Sequence, residues 1–136
     1  MSMFLAFESF RRSQKPNNYL VAPEGLCRKS TPDASSPLFL KSQEALFRRL
    51  IGMFEISSGW KNLEYDEENH RISVVAVTSL LRFKDDVDIR VLEEPNMPDG
   101  KVGCRIAIYS RSRIGHSDLG ANRKRVEGLF ARFPSQ

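Results

Sequence analysis

Residues 81–112 read Leu-Arg-Phe-Lys-Asp-Asp-Val-Asp-Ile-Arg-Val-Leu-Glu-Glu-Pro-Asn-Met-Pro-Asp-Gly-Lys-Val-Gly-Cys-Arg-Ile-Ala-Ile-Tyr-Ser-Arg-Ser. In the first part, Phe83, Val87, Ile89 and Val91 fall on one face of an extended chain. Arg82, Lys84, Asp86, Asp88 and Arg90 fall on the other. This period of two predicts a strand over 81–92 with one buried and one wet face. Residues 93–100 contain Pro95 and Pro98, which remove backbone donors, and end on Asp99-Gly100, so they predict a hairpin loop. The return strand, 102–112, places Cys104, Ile106 and Ile108 on one face and Arg105, Tyr109 and Arg111 on the other. Ser110 and Ser112 then side with the isoleucines, and Arg113 sides with Arg111.

The same reasoning extends outward. Residues 71–78 are a β-branched run typical of a strand, 66–69 a polar turn, and 60–65 a short strand. Upstream the period lengthens. Leu46, Phe47, Leu50, Ile51 and Phe54 form one helical stripe within 42–57, with Ser42 as N-cap and Ser57-Ser58-Gly59 as the stop. Downstream, Leu119, Val126, Leu129, Phe130 and Phe133 predict a last helix that begins at Ser117 or Asp118, either able to cap it, and ends at Pro134. Residues 13–40 hold four of the seven prolines and should be irregular, yet Tyr19, Leu20, Val21, Leu26, Leu38, Phe39 and Leu40 argue that they are pinned to the body of the protein. The expectation is α+β: a single two-layer domain over 1–136, with an irregular Pro-rich N-terminal arm (1–40) and an α-β-β-β-β-α core (41–136). An antiparallel sheet of three to four strands would carry two helices on one face.

A chain of 136 residues is the size of one domain and buries enough surface to stand without disulfides or a structural metal. Cys27 and Cys104 lack CxxC spacing, and no Asn-x-Ser/Thr acceptor occurs, so a reduced, intracellular chain is the simplest expectation. Nothing resembles a cleavable signal peptide or a membrane span, which predicts a soluble or peripheral protein of the cytoplasm or another intracellular compartment. Phe4, Phe7 and Phe10 recur every three positions before Arg11, Arg12 and Lys15. This stripe is either packed on the domain itself or an anchor for peripheral membrane contact. The net charge of +4 is uneven: residues 1–100 carry 13 Lys/Arg against 15 Asp/Glu, and residues 101–136 carry 8 against 2. The basic character belongs to the last quarter, which favours an anionic partner there.

That quarter contains one concentrated polar stretch, 109–125, reading Tyr-Ser-Arg-Ser-Arg-Ile-Gly-His-Ser-Asp-Leu-Gly-Ala-Asn-Arg-Lys-Arg. It resembles the C-terminal signature of the family called domain of unknown function 1499, approximately S-x-S-R-x-G-x-S-D-x-G-x-N-R-x-R. The matching residues are Ser110, Ser112, Arg113, Gly115, Ser117, Asp118, Gly120, Asn122, Arg123 and Arg125. Phe83-Lys84-Asp85-Asp86-Val87 resembles the family's acidic strand motif. An upstream element is similar at Pro16, Asn17, Leu20, Val21, Pro23, Gly25, Leu26 and Cys27. The resemblance spans nearly the whole chain and implies no activity.

Two roles for the polar stretch stay open. Arg111, Arg113, His116, Ser117, Asn122, Arg123 and Arg125, beside the amides that open the last helix, form a candidate site for an anion or a partner. Alternatively Asp85, Asp86, Ser110, Ser112 and Asp118 engage the arginines in a structural network. No catalytic residues are assigned. His116-Ser117-Asp118 has the residue types of a triad, but neighbours need not face one another, and no nucleophile elbow is present. His70 and His116 offer no metal spacing, Cys104 faces the predicted core, and no cofactor is expected. Nucleic acid is disfavoured because, Tyr109 apart, no stacking aromatics accompany Arg123-Lys124-Arg125.

The leading reading is a non-enzymatic binding or assembly module that engages a protein partner or complex. Its more specific form is an accessory subunit of a larger, membrane-associated complex. The alternative is a small-molecule or anion-binding domain, or an enzyme, with Arg113 and Arg123 lining a pocket for an anionic small ligand.

Overall fold

The computed structural model describes residues 4–79 and 81–133. Its elements in chain order are β1 (Asn18–Ala22), β2 (Ala34–Ser35), α1 (Gln43–Ile56), β3 (Trp60–Asp66), β4 (Arg71–Val77), β5 (Lys84–Glu93), β6 (Cys104–Ser112) and α2 (Ala121–Arg132). The α+β class holds, but the sheet has six strands rather than three to four, in the order β2-β1-β6-β5-β4-β3. The four strands of the 60–112 segment form an antiparallel meander whose longest pairing runs from Asp85 opposite Ser112 to Glu93 opposite Cys104. The extra two come from the arm. β1 lies antiparallel along the free edge of β6, with Leu20 opposite Tyr109, and β2 lies parallel to β1. Pairing at that edge satisfies backbone groups that would otherwise face water, and no local pattern announces it.

Alternation divides the side chains between two faces. Ile72, Val74, Val87, Ile89, Val91, Ile106 and Ile108 share one buried cluster with Leu46, Phe47, Leu50 and Phe54 of α1 and Val126 and Leu129 of α2. Each such side chain, fully buried, stabilises the fold by roughly 1.5–3 kcal/mol. The opposite parity, Leu20, Ala22, Ala107 and Tyr109, forms a second cluster with Phe7, supported by Leu5, Phe10, Leu26 and Cys27 of the arm. The second face of the sheet is therefore covered by the arm. Phe7 is almost wholly buried there and meets Phe10 edge-on, while Phe10 in turn packs on Tyr109. Phe4 is half-buried.

Both helix ends have identifiable causes. α1 begins after Ser42, whose hydroxyl accepts from the Ala45 amide at 3.1 Å, and ends at Ser57. α2 begins later than Ser117 or Asp118, because Gly120 is its N-cap and stands in the left-handed region at φ 82°. Asp118 caps it from outside, accepting from the amides of Gly120 at 2.8 Å and Asn122 at 3.1 Å. Pro134, expected to end this helix, lies outside the described residues.

Candidate functional site

The polar stretch folds as the end of β6, a turn over 113–120 and the start of α2. On the helix side of the sheet, Asn122 is fully buried and saturated. Its carbonyl oxygen accepts from the Ser110 hydroxyl at 2.6 Å and from Arg125 at 2.9 Å. Its amide donates to the Asp118 carboxylate at 2.6 Å, the Ser112 hydroxyl at 3.0 Å and the Asn17 carbonyl at 3.0 Å. Arg125 also reaches Asp85, itself 3% exposed, at 2.8 Å. Asn17 closes the network from the arm. Its side chain donates to the Gly115 carbonyl at 2.7 Å, and its carbonyl accepts from the Ser112 amide at 3.0 Å.

Arg111 of β6 and Arg113 just beyond it meet carboxylates of β5. Arg113 grips Asp86 with two contacts of 2.9 and 3.0 Å. Arg111 bridges to the buried Asp88 at 2.7 Å and lies 5.2 Å from the centre of the Tyr109 ring. Arg123 pairs with Glu127 on the exposed side of α2 and stands over Tyr19. His116 and Ser117 are exposed. Ser117 accepts from the Leu119 amide, and among the described residues no hydrogen bond joins His116 to Ser117 or Asp118.

Burial opposes ionisation of Asp118, but hydrogen bonds from the Asn122 side chain and the amides of Gly120 and Asn122 outweigh it. Its carboxyl is held below the ordinary value of 3.8. Burial pushes the Cys104 thiol up to about 11, which removes the thiolate that a nucleophile needs. Among the described residues no group of three or more His, Cys, Asp or Glu side chains is placed to hold a metal.

The segment also displays apolar side chains that the periodic reading misplaced. Leu119, assigned to the α2 stripe, precedes the helix with φ 54° and is 91% exposed. A left-handed residue breaks the helical period, so its side chain leaves the packed face. Phe83, assigned to the buried face of β5, lies one residue before that strand begins and is 47% exposed. Together with Ile114 they line a concavity of about 230 Å³, with Lys84 and Thr78 also at its wall. The sequence signal was present in Asp118-Leu119-Gly120, a leucine between two turn-formers.

Elsewhere, a groove of about 580 Å³ lies between the arm and the β5–β6 loop. Glu24, Glu93, Glu94 and Arg105 line it, and Arg113 and Arg123 do not.

These features define an α+β protein whose clustered polar residues are bound to one another around a strand-to-helix turn. No helix among the described residues is long and apolar enough to cross a membrane. The chain belongs to the family described as protein of unknown function DUF1499, whose pattern it matches over residues 11–133. No curated protein and no solved structure matches it significantly.

Proposed function

We propose that the chain is a non-enzymatic binding module, in its more specific form an accessory subunit of a larger assembly, and that the 113–120 turn is its contact surface. The observation that carries this reading is the division of labour at the turn. Asp85, Asp118, Asn122 and Arg125 are spent on one another inside, while Phe83, Ile114 and Leu119 stand in solvent above them. Exposed apolar side chains held by a rigid polar brace suit recognition rather than bond-making. Arg113, His116, Ser117 and Arg123 form its polar margin.

The reading in which Arg113 and Arg123 hold an acidic substrate is weaker, because both guanidinium groups end on carboxylates. An anion-binding role has a different candidate, a groove of about 620 Å³ in the arm with Arg11, Lys15 and Lys29 at its wall. No buried polar side chain points an anion into one geometry there, so it ranks second.

The test is photo-crosslinking in cells with a reactive residue at position 119 or, as a control, at Val102, which is 58% exposed in the loop at the opposite end of β6. Adducts concentrated at 119 support the module. Equal labelling at both positions would remove the turn as its contact surface.

A further inference from the structure

We propose that the end of the molecule bearing this turn docks on an anionic lipid bilayer. The proposal rests on the binding-module reading and names its partner. The topology brings several loops to that end. Val77 of β4 pairs with Lys84 of β5, Asp85 lies opposite Ser112 at the end of β6, and the Gly59 carbonyl just beyond α1 accepts from the Val77 amide. The α1–β3 turn, the β4–β5 loop and the β6–α2 turn therefore emerge side by side.

Eight large apolar side chains stand exposed among the described residues, and five of them are at this end: Ile56 (87%), Leu81 (64%), Phe83 (47%), Ile114 (67%) and Leu119 (91%). Chance would scatter them over the surface, as it has scattered Leu40, Tyr65 and Val102. They sit on three neighbouring segments, Ile56 at the end of α1, Leu81 and Phe83 in the β4–β5 loop, and Ile114 and Leu119 in the β6–α2 turn, a form suited to insertion between lipid head groups, where burial of apolar side chains adds to attraction by the surface charge.

The charge has the sign that such a surface requires. Arg82 of the β4–β5 loop, with Lys61 and Lys84 at the adjoining strand ends, is exposed, and none of the three has a carboxylate partner among the described residues. Of the acids described at this end, Asp85 is held by Arg125, Asp86 by Arg113 and Asp118 by amides, which leaves Glu55 near the end of α1 as the exposed carboxylate there. Lys15 adds a further cation, because the neighbouring Pro16 carbonyl accepts from the Asp118 amide. A stable protein interface takes about 20–30 residues a side, whereas the apolar side chains here come from three short neighbouring segments with cations beside them, which suits a charged bilayer surface as the partner of the binding module.

The experiment is co-sedimentation of the full chain with vesicles of phosphatidylcholine alone or mixed with phosphatidylserine. Binding is expected only to the mixed vesicles, weakening as salt is raised. The variant I114S/L119N, altered only at exposed positions, should lose binding at least tenfold. R82E/K84E should lose roughly fivefold or more for each cation removed. Thermal unfolding of each variant establishes that it is folded. Equal binding to both vesicle types, no binding, or undiminished binding by the folded I114S/L119N variant would overturn the proposal. If vesicles fail while crosslinks from position 119 still reach a protein, the lipid assignment falls and the binding-module reading stands.

Discussion

Leu119 carries a backbone conformation that costs an L-residue of its size about 1 kcal/mol, and its side chain recovers nothing from packing. Asn tolerates the left-handed region far better. L119N should therefore stabilise the protein by about 0.5–1 kcal/mol in chemical denaturation while weakening whatever the turn binds. A neutral or destabilising result would mean that the strain has been relieved elsewhere. Two arginines separated by a single residue, Arg123 and Arg125 with Lys124 between, make a sharper contrast. R125A leaves the buried Asp85 without its cation and should cost roughly 3 kcal/mol. R123A removes an exposed pair on the helix surface and should leave the denaturation midpoint essentially unchanged. The measurement is the denaturation midpoint of each variant. The reading of 109–125 kept a site and a network open side by side, because composition cannot say which of two neighbouring arginines meets a buried carboxylate and which an exposed one.

At the scale of elements, the start of α2 depends on a carboxylate outside the helix. Asp118 is favoured in its ionised form in the fold, so its contribution to stability is present above the ordinary value of 3.8 and is lost as pH falls below it. The loss of stability between pH 5 and pH 3 should be smaller in D118N than in the wild type, with the difference followed by urea unfolding at each pH. An identical pH profile would show that the cap does not depend on charge. α1 and the meander were legible because each is governed by a local period: 3.6 for Leu46 to Phe54, two for Val87 to Val91. The α2 boundary was not, since Leu119 continues the apolar spacing while its φ of 54° keeps it out of the helix, which starts only beyond Gly120.

For the molecule as a whole, the sheet is shared by two clusters, one that includes side chains of both helices and one that includes Phe7 of the N-terminal arm. Phe7 is the arm's main anchor on the sheet, joined by Glu8 to Arg90 and by the Leu5 amide to Asp88. F7A should cost about 3 kcal/mol and expose the Leu20–Tyr109 face to an apolar dye such as ANS. Unchanged stability with no dye binding would show that the arm is dispensable to the fold. The aromatic stripe at Phe4, Phe7 and Phe10 was visible as a stripe, but a stripe does not say what it covers. The decision belongs to the sheet, whose second face is apolar at Leu20, Ala22, Ala107 and Tyr109 and would otherwise meet water.

By itself the sequence determined what is local: the α1 stripe, the body of α2, the strands between 60 and 112, the hairpin loop, and the grouping of the basic residues in the last quarter. These follow from side-chain periodicity and from proline and glycine, which act within a few residues. Only the tertiary structure decided the rest. It placed β1 on the edge of β6, joined Asn17 to Asn122 across 105 positions, sorted Arg113 to Asp86 and Arg125 to Asp85, and left five exposed apolar side chains at one end. Each of these is a choice among partners of equal chemistry, and it is made by which groups the packed chain removes from water together.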